Sequence, residues 1–382
     1  MPRQPKPPQS DSVLPGSVPA GLNRRRVLKL GALKLGGAAL IVAAAPSVAE
    51  RTAPRPGKAI SAGGTGPEPR LTPPSLALLA LTRLAYGPRA GDWSAWNALP
   101  GNRPEEKLRS WLERQLDPAK LDDAACEAKL SSLETLRKPY AQLWKEHYAD
   151  LPDNDSKYPV MYRPTDETRL ASILRKTYSE RQLLERMTEF WHDHFNVNPG
   201  HDDIIAPLFG DYDRTLRSGA LGNFFSLLTS VARHPAMLKY LDNASSNRGG
   251  PNENYARELF ELHTLGAENY LGVGRQKDVP GYAEGQPSGY VDEDVYEATR
   301  AFTGWRMNDN MDDADWQQGV GKDGTFLYYA AWHDRFHKTV LGRDLPPDQA
   351  PQKDGLDVLA ALASRLPWPA TPAPPGTWPA NW

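Results

Sequence analysis

Apolar residues recur at helical spacing along most of the middle of this chain, and sustained alternation of apolar and polar positions is scarce. Leu76, Leu79 and Leu84 follow Thr72-Pro73-Pro74, which reads as a cap and first turn, and Gly87-Pro88 stops the run. A second helix is predicted from near Pro104, with Leu108, Trp111, Leu112 and Leu116 on one side and a stop at Asp117-Pro118. Leu170, Ile173, Leu174 and Tyr178 continue the same period. Ser179-Glu180-Arg181-Gln182 has the form of a capping box and opens a helix through about His194. The expected fold class is mainly α, a multi-helix globular domain with long irregular loops and few or no strands.

Two segments repay a helical wheel at about 100° per residue. Along Gln182 to His194, the positions Leu183, Leu184, Met187, Phe190 and Trp191 form an apolar arc that includes His194, with Glu185, Glu189 and His192 opposite. Along Pro251 to His263, the arc is Tyr255, Leu259, Phe260 and Leu262, with His263 inside it and Asn254, Arg257, Glu258 and Glu261 on the other face. The pattern predicts two buried imidazoles and two polar stripes rich in carboxylates.

Proline and glycine set the boundaries. Residues 50–74 read as a Pro/Gly-rich linker, residues 75–344 as the helical domain, and residues 345–382 as a Pro-rich tail. Residues 1–49 have the layout of a twin-arginine signal: Arg24-Arg25-Arg26-Val27-Leu28-Lys29, a short apolar stretch interrupted by Lys34, and small residues ending at Ala49. That layout predicts recognition by the twin-arginine translocation machinery and a periplasmic or extracellular destination. Elsewhere no stretch approaches the roughly 20 apolar residues of a membrane span, so no permanent span is expected.

Composition adds limits. With 40% hydrophobic and 24% charged residues and a net charge of −2, nothing in the chain asks for nucleic acid. Cys126 is the only cysteine, so no intramolecular disulfide can form and packing must carry stability. There is no Gly-x-Ser-x-Gly elbow, no cysteine pair for zinc and no phosphate loop. Seven of the eight histidines lie in the second half.

The candidate chemistry is therefore a metal site. Glu189-x-x-His192 has the spacing that presents both side chains to one ion from a helix, and Glu258 and Glu261 can answer from the second helix. His194, His234 and His263 complete the candidate ligands for a divalent or redox metal, with His194, His263 and Glu258 as the candidate catalytic groups. The competing explanation is structural: Glu253, Arg257 and Glu261 are also spaced as ion pairs on a solvated face, and a histidine on an apolar face is often a hydrogen-bonded core residue. His333 and His337 would suit a metal if that segment were helical.

Arg83-Leu84-Ala85-Tyr86-Gly87-Pro88, Phe190-Trp191-His192-Asp193-His194-Phe195, His234-Pro235-Ala236-Met237-Leu238 and Asn252-Glu253-Asn254-Tyr255-Ala256-Arg257-Glu258 follow one another in the order seen in a bacterial family. So does the segment from Gly289 through Thr303-Gly304-Trp305. The chain resembles the family of domain of unknown function 1800 over about Leu76 to Gly342. The resemblance implies a largely helical, exported protein, commonly encoded beside a second exported family similar to sulfatases. It also implies further helices beyond the His337 to Gly342 segment, so that this chain reads as C-terminally incomplete. Two functions stay open: a helical metalloenzyme acting on an envelope substrate, or a non-catalytic envelope protein that binds or matures a partner through an aromatic surface around Gly304-Trp305 and the Pro-rich tail.

Overall fold

Ser75 caps the first helix with its hydroxyl, which accepts the Leu78 amide hydrogen at 3.3 Å, so the start falls after Pro73-Pro74 rather than at Thr72. The computed structural model describes residues 73–309 and 322–365. The export segment, Thr72, most of the linker and the end of the tail lie outside the described residues.

The helices run in the order α1 (Leu76–Arg83), α2 (Asp92–Asn97), α3 (Pro104–Gln115), α4 (Ala124–Leu130), α5 (Tyr140–Trp144), α6 (Tyr158–Tyr178) and α7 (Gln182–His194). They continue with α8 (Ile205–Gly219), α9 (Phe224–Arg233), α10 (Pro235–Tyr240), α11 (Asn254–Glu258), α12 (Asp292–Ala301) and α13 (Lys353–Ala363). Two antiparallel ribbons complete the described residues: β1 (Trp305–Met307) with β2 (Phe326–Tyr328), and β3 (Lys338–Val340) with β4 (Arg343–Leu345). The fold is mainly α. None of the described helices is long and apolar enough to cross a membrane.

α8 is the centre of the domain. It packs on α6, α7, α9 and α10, and buries Ile205, Leu208, Tyr212 and Leu216 together with the charged Asp213. Burying four large apolar side chains stabilises the domain by about 1.5–3 kcal/mol each. The α6–α8 contact is made by small and hydroxyl-bearing residues: Thr165 donates to the Ala206 carbonyl at 2.8 Å, and a Cβ on Gly210 would lie 3.1 Å from Thr168 Oγ1. This corrects the wheel for α6. Leu170, Ile173 and Tyr178 are exposed, because the buried face consists of Met161, Pro164, Thr165, Thr168 and Ala171.

Two other phases shift for identifiable reasons. α7 begins at Gln182, and Ser179 Oγ donates to Asp123 instead of forming a capping box. α7 is also buried on more than one side: Gln182, Glu185 and Thr188 are covered as fully as Leu183 and Trp191, whereas Phe190 is exposed. After α11 the backbone widens into a π-turn over Leu259–Thr264, which carries more residues per turn and rotates the following side chains out of α-helical phase. Leu262, expected in the buried arc, is 58% exposed, and Glu258 is buried in its place.

The expected tail contains a core helix. Val358, Leu359 and Leu362 of α13 are fully buried, and a Cβ on Gly355 would come within 2.6 Å of the Trp305 ring, so only glycine admits this approach. Trp305 itself is completely buried and does not form the aromatic surface expected at Gly304-Trp305. Its ring lies edge-on to Phe302 and Phe326, at the junction of α12, α13 and the first ribbon.

Candidate functional site

The polar stripe of α7 meets charged residues on α6 and α8. Asp213 is buried; its Oδ1 accepts from His192 Nε2 at 3.0 Å, and its Oδ2 lies 3.5 Å from both Arg217 Nε and Arg175 Nη1. Arg217 also donates to Glu185 Oε1 at 2.7 Å. Burial alone would raise the Asp213 pKa, but Arg217, His192 and Arg175 outweigh it and hold the carboxyl far below the usual range. Burial would also favour neutral Arg217, and Asp213 and Glu185 reverse that effect. The carboxylate can only accept, so the Nε2 of His192 carries the proton of this bond.

Glu189 does not share a site with His192. Its Oε1 pairs with Lys176 Nζ at 2.5 Å, and its Oε2 accepts from Tyr86 Oη at 3.0 Å and Arg186 Nη1 at 2.9 Å. Burial disfavours the charge, but Lys176 and Tyr86 hold the Glu189 pKa below its ordinary value. The carboxylate is committed to joining α6, α7 and the segment after α1.

The apolar side of α7 holds His194, whose Nε2 donates to the backbone carbonyl of His263 at 3.0 Å. The two rings lie 6.2 Å apart between centroids, so the nitrogen of His194 that faces the π-turn meets a carbonyl rather than the other imidazole. Phe190 stacks on the His194 ring, and Phe195 lies edge-on to both histidines. Burial in this shell lowers the pKa of His194, and burial together with His194 drives His263 down to about 3. His263 is a neutral core residue at physiological pH, and His194 is half-buried beside it.

His234 is the helix cap of α10. Its Nδ1 accepts the Ala236 amide hydrogen at 3.1 Å, and its Nε2 donates to Asp211 Oδ2 at 3.2 Å, so both ring nitrogens are engaged. Glu261 lies on the side of Tyr290, whose phenol is pushed up to about 12 by burial and by the Glu261 charge. Of His192, His194, His234, Glu258, Glu261, His263 and Glu189, expected to converge on one pocket, His192, His194, His234 and Glu189 each meet a different partner. Among the described residues, no three His, Cys, Asp or Glu side chains gather to hold an ion. His192, His194, His234 and Glu189 each serve a different contact between elements.

The model of the family described as protein of unknown function (DUF1800) matches residues 79–373. The chain belongs to this family. No curated protein and no solved structure matches it.

In this DUF1800 chain a second charged cluster escaped the sequence reading. Lys338 of β3 is fully buried; its ammonium donates to Asp354 Oδ2 at 2.7 Å and to the carbonyls of Asp334 and Phe336. His333 lies in a turn, with Nδ1 on the Thr303 carbonyl at 2.8 Å and Nε2 3.3 Å from the same Asp354 oxygen. His337 is exposed and pairs with Asp344, so the expected helical His333–His337 pair does not form. The i, i+4 spacing of Asp213 and Arg217 was the one local signal for the first cluster; nothing local pairs Lys338 with Asp354.

The DUF1800 chain also displays apolar side chains on a fixed loop. Tyr290 accepts from the Leu271 amide at 2.8 Å and donates to the Asn269 carbonyl at 3.0 Å, while Tyr270 Oη donates to Asp292 at 2.6 Å. On that frame Leu271 is 51% and Val273 90% exposed.

Proposed function

We propose that this DUF1800 chain is an exported bacterial protein of the cell envelope that works by binding a protein partner. The reading of export rests on the twin-arginine layout at Arg24-Arg25. The observation that supports binding is the loop at Tyr270 to Val273, where apolar side chains face solvent on a backbone held at both ends by hydrogen bonds. A rigid apolar display loses little entropy on association, and clustered exposed apolar residues mark interaction sites. His234 and His263, in contrast, are buried.

The exported sulfatase-like protein commonly encoded beside this family is the partner we assign. When the purified full chain is mixed with that protein, size-exclusion chromatography with light scattering is expected to give a complex. Leu271→Asp and Val273→Asp should weaken it by at least about tenfold, since each puts a charge into a desolvated contact. Both variants should keep the melting temperature of the parent, because these side chains are exposed. No complex at micromolar concentrations, or a complex insensitive to both changes, contradicts the proposal.

A further inference from the structure

A cleft of about 310 Å³ opens between α8, α9 and β2, lined by Tyr140, Thr215, Ser218, Arg233, His234 and Phe326 among others. Arg233 is its notable member. The guanidinium carbon lies 5.6 Å from the Trp305 ring and 5.7 Å from the Phe326 ring, and Nη2 donates to Gln352 Oε1 at 2.6 Å. Gln352 sits in the left-handed backbone region at φ 67°, a conformation that costs a non-glycine residue about 1 kcal/mol or more. Two aromatic faces and a neutral amide therefore fix the orientation of the arginine without neutralising it.

No carboxylate pairs with Arg233 among the described residues. Its Nε is buried without a hydrogen-bond partner, and burial shifts the guanidinium pKa down with no acid to offset it. The acid that lines the cleft is Asp211, and both of its oxygens are already engaged, Oδ1 by Arg214 at 2.6 Å and Oδ2 by His234 at 3.2 Å. The cleft thus holds an oriented positive charge with no carboxylate partner among the described residues, beside an acid that is already compensated. A cation in this state gains most from a planar or tetrahedral oxyanion that accepts from its remaining N–H groups. Thr215 Oγ1 makes no hydrogen bond within the described residues and supplies a second donor.

The geometry points to an oxyanion-binding site in this cleft, with Arg233 as the anchoring cation and Thr215 as an accessory donor for a carboxylate, sulfate or phosphate group of a small ligand. The site shares no lining residue with the Tyr270 to Val273 loop and stands whether or not that loop binds a partner.

The test is isothermal titration calorimetry on the full chain with sodium sulfate, sodium phosphate and sodium glucuronate, each at ionic strength matched with sodium chloride. At least one of the three should bind saturably, and the order of affinities separates a carboxylate from a tetrahedral anion. Arg233→Met retains an unbranched stem between Trp305 and Phe326 and should weaken that binding at least about tenfold, the effect of one charge-assisted hydrogen bond. Thr215→Val, on α8, should weaken it less and leaves Arg233 in place should Arg233→Met fail to fold. Binding that is unchanged in Arg233→Met, or unchanged in Thr215→Val when only that variant folds, overturns the proposal. So does the failure of all three anions to bind beyond chloride.

Discussion

Asp213→Ala is expected to lower the folding stability of the chain by about 3 kcal/mol, because it leaves two partly buried guanidinium groups with one carboxylate between them. Arg217 would retain Glu185 at 2.7 Å, whereas Arg175 and His192 would lose their partner on α8. The measurement is the urea midpoint at an unchanged m-value. A loss below about 1 kcal/mol would show that the cluster is solvated rather than buried. The pH dependence has a definite sign. The folded-state pKa of Asp213 is depressed, so its contribution is fully present above the unfolded value of about 3.9 and disappears as pH falls through the folded value. Asp213→Ala should therefore flatten the loss of stability below about pH 4 while lowering the neutral plateau.

The second large effect is at Asp354, where Asp354→Ala should cost about 3 kcal/mol by leaving the buried Lys338 ammonium with only the more distant Asp334 carboxylate at 3.7 Å. Gln349 and His333 would lose the same acceptor, and α13 would lose its polar tie to β3. The paired change Lys338→Met with Asp354→Leu removes both charges and should recover most of the stability, since apolar replacements of a buried ion pair are often neutral or better. Thermal unfolding of the three variants decides the matter. If Asp354→Ala melts with the parent, α13 is not held as described.

α3 and the existence of α7 were legible because their apolar positions recur at i, i+3 and i+4, and α3 also opens on Pro104. Their buried faces were less so. A wheel assumes one apolar side, but α6 turns Thr165, Thr168 and Ala171 toward α8 and leaves Ile173 in solvent, since a close helix contact selects small side chains over large ones. The π-turn at Leu259–Thr264 defeats the wheel differently, by changing the period itself. α13 was hidden by the prolines around it, although Val358, Leu359 and Leu362 carry a helical stripe.

The site shows the same division. His263 is buried as expected, His194 is only half-buried, and the structure brings them together through a backbone carbonyl. The partners that decide their chemistry and that of their neighbours are long-range. Asp213 sits on α8 beside Tyr212, and nothing in its local sequence says that it will face His192 on α7. Likewise, the cap made by His234 was readable from the following proline, but its bond to Asp211 required the fold. Residue type alone suggested metal ligands; the hydrogen-bond partners of His192, His194, His234 and Glu189 favour reassigning these side chains to holding elements together.

That reassignment is tested by the metal content of the untagged full chain, recovered after export and measured by elemental analysis beside His194→Ala and His263→Ala. The structural role predicts well under one equivalent of any transition metal or zinc per chain in the parent, no change in that figure in either variant, and a lower melting temperature in both. One equivalent of metal in the parent that disappears in His194→Ala or His263→Ala would contradict it.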